Sequence, residues 1–156
     1  MSLEMEYKIT QLDRDGFDEW ATLFKRYIEF YEASLPEDQY KKTFERILDS
    51  KSDLYAFVMR EHQEGSDKGK MVAIAHFFPQ QTPWSEQKIM LLNDLFVNPT
   101  LRGKGHGRRM IQAVADYSKQ LGCLRLQWLT KQDNTTARRL YDTMAEASFV
   151  QYRMGL

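Results

Sequence analysis

The sequence predicts a mixed α/β domain in which helices lie over a largely antiparallel sheet. Three observations predict it. Two amphipathic helical stretches follow one short strand. The hydrophobic period then shortens to that of strands over three consecutive runs. After that the chain alternates helix and strand. The expected order is β-α-α-β-β-β-α-β-α-β, in one domain covering residues 1–156.

Each element has its own signal. Tyr7 to Gln11 reads as a short strand. Asp15 to Tyr31 reads as a helix, because Phe17, Trp20, Leu23, Phe24, Tyr27 and Ile28 recur at i, i+3, i+4 and i+7 spacing. Ser34-Leu35-Pro36 breaks it. Glu37 to Leu48 is a second helix, with Tyr40, Phe44 and Ile47 on one side. Leu54–Arg60 and Lys70–Phe78 are strand-like and flank the polar turn HQEGSDKG (His62 to Gly69), which predicts an antiparallel hairpin. Gln80 to Glu86, with Pro83 and Trp84, reads as a loop. Lys88 to Val97 is a central strand, ended by Pro99, which has no N–H for a ladder.

Arg108 to Leu121 is helical, with Met110, Ile111, Val114 and Ala115 inward and Gly122 as its stop. Cys123 to Leu129 is a strand. Asn134 caps a helix over Thr135–Ala145, whose Ala137, Leu140, Tyr141 and Met144 share a face. Phe149 to Met154 is the expected closing strand.

Composition narrows the function. The chain carries 22 basic and 22 acidic residues, which argues against a protein held on nucleic acid by bulk charge. Cys123 is the single cysteine, so no intrachain disulfide forms and a reducing, cytoplasmic setting is expected. No apolar run approaches the ~20 residues that span a bilayer. One cysteine and three scattered histidines do not predict a metal site.

The informative stretch is NPTLRGKGHGRRM, Asn98 to Met110, directly after IMLLNDLFV. A strand, a glycine-rich turn and a helix start gather several backbone N–H groups at one point. The first N–H groups of a helix lack partners within it and sit at its positive end, so anions bind there. Gly103, Gly105 and Gly107 let an anion come close, and Arg102, Lys104, Arg108 and Arg109 add charge. A P-loop is excluded, since Lys104 is followed by Gly105 rather than Ser or Thr. A dinucleotide-binding loop does not fit either, because Gly107 is followed by Arg108-Arg109-Met110 and the preceding strands read as antiparallel.

Arg102, Gly105 and Gly107 do match the pattern [R/Q]xxGx[G/A], and Asn134, Ala137 and Tyr141 (NTTARRLY) match NxxAxxxY one strand downstream. With these two motifs in register, and the same element order along nearly the whole chain, the sequence resembles the GNAT acetyltransferase superfamily. The runs DLFVNPTLRGKGHGRRMIQAV and LQWLTKQDNTTARRLY resemble its small-amine branch, the Hpa-type histone/polyamine and spermidine/spermine or thialysine acetyltransferases.

The resemblance implies a GNAT-like acyl-CoA N-acyltransferase fold, with a mostly antiparallel, splayed sheet flanked by four helices. It implies acetyl-CoA as cofactor and a primary amine as acceptor, polyamine-like or lysine-like. Pantetheine would pair with the backbone of Leu95, Phe96 and Val97. Arg102, Gly103, Lys104, Gly105, His106, Gly107 and Arg108 would surround the pyrophosphate. Asn134, Thr135 and Thr136 would line the opposite wall, although Asn134 is also a plain helix N-cap.

Tyr141 would be the general acid for the departing thiolate, or else one more aromatic on its helix's apolar face. The family's glutamate position on the splayed strand holds Asn93, which is no base. Asp94 is adjacent but points to the other face unless a bulge intervenes. His76 is a candidate proton acceptor, or a satisfied core histidine. Glu29, Tyr31 and Glu32, at the exit of the first helix, would edge the acceptor site, or form a solvated helix end, and Asn93 and Asp94 would border the acceptor from the splayed strand. Other readings in the same fold are a non-catalytic acyl-CoA-binding module and a protein (lysine or N-terminal) acetyltransferase. A homodimer is expected, with no membrane partner.

Overall fold

The computed structural model describes residues 5–63, 65 and 68–156. Its elements are β1 (Glu6–Gln11), α1 (Phe17–Phe30), α2 (Glu37–Leu48), β2 (Tyr55–His62), β3 (Lys70–Thr82), β4 (Ser85–Val97), α3 (His106–Gln120), β5 (Arg125–Trp128) and α4 (Thr135–Tyr141). The strands form one sheet in chain order, antiparallel from β1 to β4, with β5 parallel to β4.

The helices cover both faces, each through its apolar stripe. On one side Trp20, Leu23 and Phe24 of α1 and Tyr40 and Phe44 of α2 pack against Ala56, Val58, Ile74 and Phe96. On the other, Met110, Ile111 and Val114 of α3 pack against Phe57, Phe77, Met90 and Leu92. Full burial of such side chains contributes roughly 1.5–3 kcal/mol each. A polar clamp fixes the start of α1: Glu19 accepts from the Arg60 guanidinium at 2.7 Å and from the Met71 N–H at 2.8 Å.

Several expected boundaries shift. The loop expected over 80–86 is mostly strand, because β3 and β4 are long arms of one hairpin that turns at Pro83-Trp84. The turn expected at His62–Gly69 lies partly outside the described residues. Helix α3 begins two residues early, at His106, and α4 ends at Tyr141 rather than Ala145. Phe149–Met154 is not a strand: no described strand pairs with it. Alternating apolar residues alone do not make a strand without a neighbouring edge.

The decisive local feature is a bulge in β4. His76 of β3 lies opposite Asp94, but Phe77 lies opposite Leu92, so Asn93 is the extra residue. Such an insertion reverses strand alternation. Met90 and Leu92 therefore face α3, whereas Phe96 joins the α1/α2 core. Asp94 turns with Phe96 to the α1 side, onto His76.

Candidate active site

β4 and β5 pair only from Ile89 to Leu92. Beyond the bulge, β4 pairs with β3 alone, so the outer edge of Asn93–Val97 pairs with no described strand. This leaves a wedge-shaped gap. At its apex is a small cavity of about 20 Å³ lined by Tyr27, Tyr31, Leu92, Asn93, Leu95, Trp128, Leu129, Thr130 and Tyr141. Tyr141 packs edge-on against Trp128, with ring centroids 5.5 Å apart. Burial, and then Tyr31, push its phenol above the ordinary tyrosine value.

At the far end of the gap the chain passes through a tight turn at Pro99–Leu101, where Asn98 Oδ1 accepts from the Thr100 N–H. It then reaches Gly103 and Gly105, with φ of +79° and +82°. L side chains rarely adopt that conformation, so glycine is required by the backbone there. Among the described residues, none of the N–H groups from Gly103 to Arg108 donates to a protein acceptor. Six unengaged donors at the start of a 15-residue helix suit a pyrophosphate. The residues present therefore fit coenzyme A: an anion-binding loop at one end of an unpaired strand edge, and a phenol at the other.

Some expected side chains do not face this loop. The His106 ring is buried against Tyr7, with centroids 4.2 Å apart, because it starts α3 on the helix's inward face. Burial, and then Arg109 and Lys104, hold its pKa below the usual histidine value. Arg108 donates to Thr143 Oγ1 at 2.8 Å, bridging α3 to the turn after α4. Arg109 donates to the Tyr7 carbonyl. Of the three, His106 and Arg108 leave their backbone N–H groups unengaged at the loop, whereas the Arg109 N–H donates to the Gly105 carbonyl at 3.1 Å. Arg102 stacks over Phe30 and Phe96, and the Phe96 ring itself is core. Lys104 is exposed at the loop.

On the other wall, Asn134 Oδ1 accepts from the Ala137 N–H as an N-cap, and its amide reaches Thr130 Oγ1 at 3.3 Å. Thr135 and Thr136 are exposed beside it. Tyr31 lines the apex, whereas Glu29 and Glu32 are exposed and line neither this cavity nor the one described next.

A larger cavity of about 410 Å³ lies on the α1/α2 side of the bulge, lined by Phe24, Thr43, Arg46, Ser52, Asp53, Leu54, His76, Phe78, Asn93 and Asp94. Asn93 lines both cavities, so they adjoin. Sequence reasoning missed the chain of bonds behind it. The Trp20 indole N–H donates to His76 Nε2 at 2.8 Å, and His76 Nδ1 meets Asp94 Oδ2 at 2.9 Å. An indole can only donate, so Nε2 accepts and the proton sits on Nδ1, directed at Asp94. With both nitrogens engaged, His76 is a support and not a free proton acceptor. Burial raises the Asp94 pKa, but hydrogen bonds from His76, Asn93 and Tyr27 outweigh it and hold the carboxyl below its usual value. Tyr27 answers by shifting strongly upward, from burial and then from the Asp94 charge.

Comparison with known proteins agrees with this geometry. Residues 20–145 match the family model described as "Acetyltransferase (GNAT) family". The chain is 33% identical over 141 residues to the uncharacterised N-acetyltransferase YhfO of Bacillus subtilis, covering 87% of this chain and 89% of that one. It is 29% identical over 126 residues to the D-amino-acid N-acetyltransferase HPA3 of Saccharomyces cerevisiae, covering 81% and 76%. Its fold is similar to that of the aminoglycoside N-acetyltransferase AAC(6')-Iy solved with CoA, with a TM-score of 0.76, 19% identity and 97% and 96% of the two chains covered. The wedge in the sheet, the helix-start loop and the family match together identify the chain as a member of the GNAT acetyltransferase family, an acetyl-CoA-dependent N-acetyltransferase.

Proposed function

We propose that residues 1–156 act as one cytoplasmic acyltransferase domain that acetylates the primary amine of a small polyamine-like or lysine-like acceptor. One observation carries this reading: the bulge at Asn93 both opens the β4 edge and turns Asp94 into the larger cavity. A single backbone insertion thus sets an acyl-donor groove beside an anionic acceptor pocket. That HPA3 is named for amino acids, which are small amines, agrees with it.

The N–H groups of Gly103–Arg108 hold the diphosphate, and the free edge of Leu95–Val97 aligns the pantetheine arm. Acetyl-CoA supplies the thioester carbon. Asp94 holds the acceptor ammonium at the cavity boundary. After that ammonium had lost one proton to water, the amine nitrogen would bond to the acyl carbon, its second proton would also pass to water, and the C–S bond would break to leave the neutral amide. Tyr141 protonates the leaving thiolate, whose thiol pKa of ~8.5 makes it a tolerable leaving group. Solvent then reprotonates the phenol. The test is release of free CoA across a panel of polyamines, lysine analogues and peptides. Coenzyme A binding without turnover on any acceptor sinks the enzymatic reading in favour of a binding module, and turnover on peptides alone sinks the small acceptor.

The loop has its own test. Replacing Gly105 with alanine meets no steric obstacle, since nothing lies within 4 Å of the added Cβ. It forces an L residue into left-handed backbone at about 1–2 kcal/mol. Gly105→Ala is therefore expected to weaken coenzyme A about tenfold, measured by titration calorimetry. Unchanged affinity would remove the diphosphate from this loop.

We also infer a homodimer joined through the C-terminal segment. Phe149, Val150, Tyr152 and Met154 are 98%, 80%, 94% and 85% exposed. The outer edge of β5 pairs with no described strand, and exposed Leu124 and Leu129 flank it. Each chain thus offers one unpaired apolar segment and one unpaired edge, which a two-fold exchange satisfies together. Light scattering should give a dimer for the native chain and a monomer for Phe149→Asp/Tyr152→Asp. A monomeric native chain overturns this.

A further inference from the structure

We propose that Trp20 is a positioning residue: its indole N–H locks His76 in the neutral Nδ1–H form, so that Asp94 keeps an uncompensated negative charge for the acceptor as the pH falls. This rests on the reading of Asp94 as the holder of the ammonium, and adds the group that keeps it charged.

The three groups come from three elements. Trp20 lies on α1, His76 on β3 and Asp94 on β4. Glu19 ties α1 to the Arg60 guanidinium and the Met71 N–H, which fixes the helix along its axis and sets the neighbouring indole against β3. Trp20 is fully buried and His76 is 3% exposed. Phe24 of α1 closes over the imidazole edge-on, with ring centroids 4.7 Å apart. The Asp94 side chain is 15% exposed and lines the larger cavity, so it alone of the three presents a charge there.

An imidazole beside a carboxylate ordinarily gains a proton, because the two charges then attract. In this core the proton has no place to go. Nδ1 already carries the hydrogen directed at Asp94. Nε2 lies 2.8 Å from the indole nitrogen, which has a hydrogen to give and no lone pair to accept one. A proton on Nε2 would set two buried N–H groups against each other and leave both unsatisfied, at the full desolvation penalty of each.

The state of His76 sets the charge of the cavity. Neutral His76 with ionised Asp94 carries one negative charge, and an imidazolium with the same carboxylate carries none. Arg46 of α2 and Asp53 before β2 line the same cavity with opposite signs. Tyr27 of α1, close to Asp94, is held as a neutral phenol by burial and by the Asp94 charge. The net sign of the wall therefore rests on the His76–Asp94 pair.

Two measurements test this. In protein carrying isotope-labelled histidine, the His76 nitrogen signals are assigned by their loss in His76→Asn. The native chain should keep the Nδ1–H tautomer from pH ~8 down to ~5.5, whereas Trp20→Phe should pass to the imidazolium in that window. Calorimetry then reads the dissociation constants of spermidine, lysine and phenethylamine on the coenzyme A complex. Between the same limits the native constants should hold within about twofold, and those of Trp20→Phe should weaken about tenfold or more, the scale of one charge-assisted hydrogen bond. Asparagine keeps a donor near the Nδ1 position but takes no proton, so Trp20→Phe/His76→Asn should restore the flat profile. A native His76 that protonates in this window, or a Trp20→Phe chain whose His76 stays neutral, overturns the inference. Should Trp20→Phe not fold, the native spectra decide alone, through the coupling across the indole–imidazole bond. If the amines bind as expected but none is acetylated, the enzymatic reading falls and this one stands. If none of the three binds, Asp94 holds no ammonium and this inference falls, while release of free CoA across the acceptor panel decides the enzymatic reading separately.

Discussion

Replacement of Tyr141 by phenylalanine is expected to lower kcat by about 10²-fold or more while leaving acetyl-CoA affinity nearly intact, the scale at which a positioned general acid acts. The ring sits at the end of α4, edge-on to Trp128, and lines the apex of the gap. Phenylalanine keeps that ring and its packing, so the substitution removes only the hydroxyl. Burial raises the phenol's pKa, so the proton needed by the thiolate stays in place throughout the neutral and mildly alkaline range. Single-turnover and binding measurements separate the cases. If affinity collapses together with kcat, Tyr141 is a packing residue and another group protonates the sulfur.

Asp94→Asn is expected to act on both stability and substrate affinity. The carboxylate meets His76 Nδ1 at 2.9 Å and accepts from the Asn93 amide at 3.1 Å. An amide has one acceptor oxygen and points its NH₂ at another donor. Losing hydrogen bonds to a charged group costs about 1.5–3 kcal/mol. At roughly 2–4 °C per kcal/mol for a chain of this size, the melting temperature should fall by several degrees. KM for the amine should rise more than kcat falls, because the residue holds the ammonium. If KM is unmoved while the melting temperature drops, Asp94 is purely structural.

The same site fixes the pH dependence. Asp94 is held below the usual carboxylate value and both His76 nitrogens are bonded, so neither takes the ammonium proton at neutral pH. The reactive free amine then comes from solution. For an aliphatic amine of pKa ~10.4, kcat/KM should climb about tenfold per pH unit from pH ~7 to ~9. Tyr141, raised above its ordinary value, does not reverse the climb in that window. A plateau near pH 7 would mean that a base with a near-neutral pKa takes the proton.

Much of the fold was legible because its signals are local. The i, i+3, i+4 stripe from Phe17 to Ile28 buries the side predicted for it, with Trp20, Leu23 and Phe24 in the core. The glycine loop was legible because positive φ at Gly103 and Gly105 demands glycine. The side chains around it were not. His106, Arg108 and Arg109 look like phosphate ligands by proximity in sequence, yet the pitch of α3 turns them toward Tyr7 and Thr143. Glu29 and Glu32 are exposed at and just beyond the end of α1 and line neither cavity, whereas Tyr27 and Tyr31 line the apex of the gap.

The sequence by itself determined the helical stripes and the helix-start loop, since each depends on residues within a few turns of one another. Only the tertiary structure decided that Asn93 is the extra residue in β4. IMLLNDLFV reads as one unbroken strand, and nothing in it says where the alternation reverses. That choice is made by two cores acting on opposite faces: α3 requires Met90 and Leu92, and α1 with α2 requires Phe96, so the strand must slip by one residue between them. The slip carries Asp94 onto His76 and into the larger cavity, whose other walls come from residues far apart in the chain.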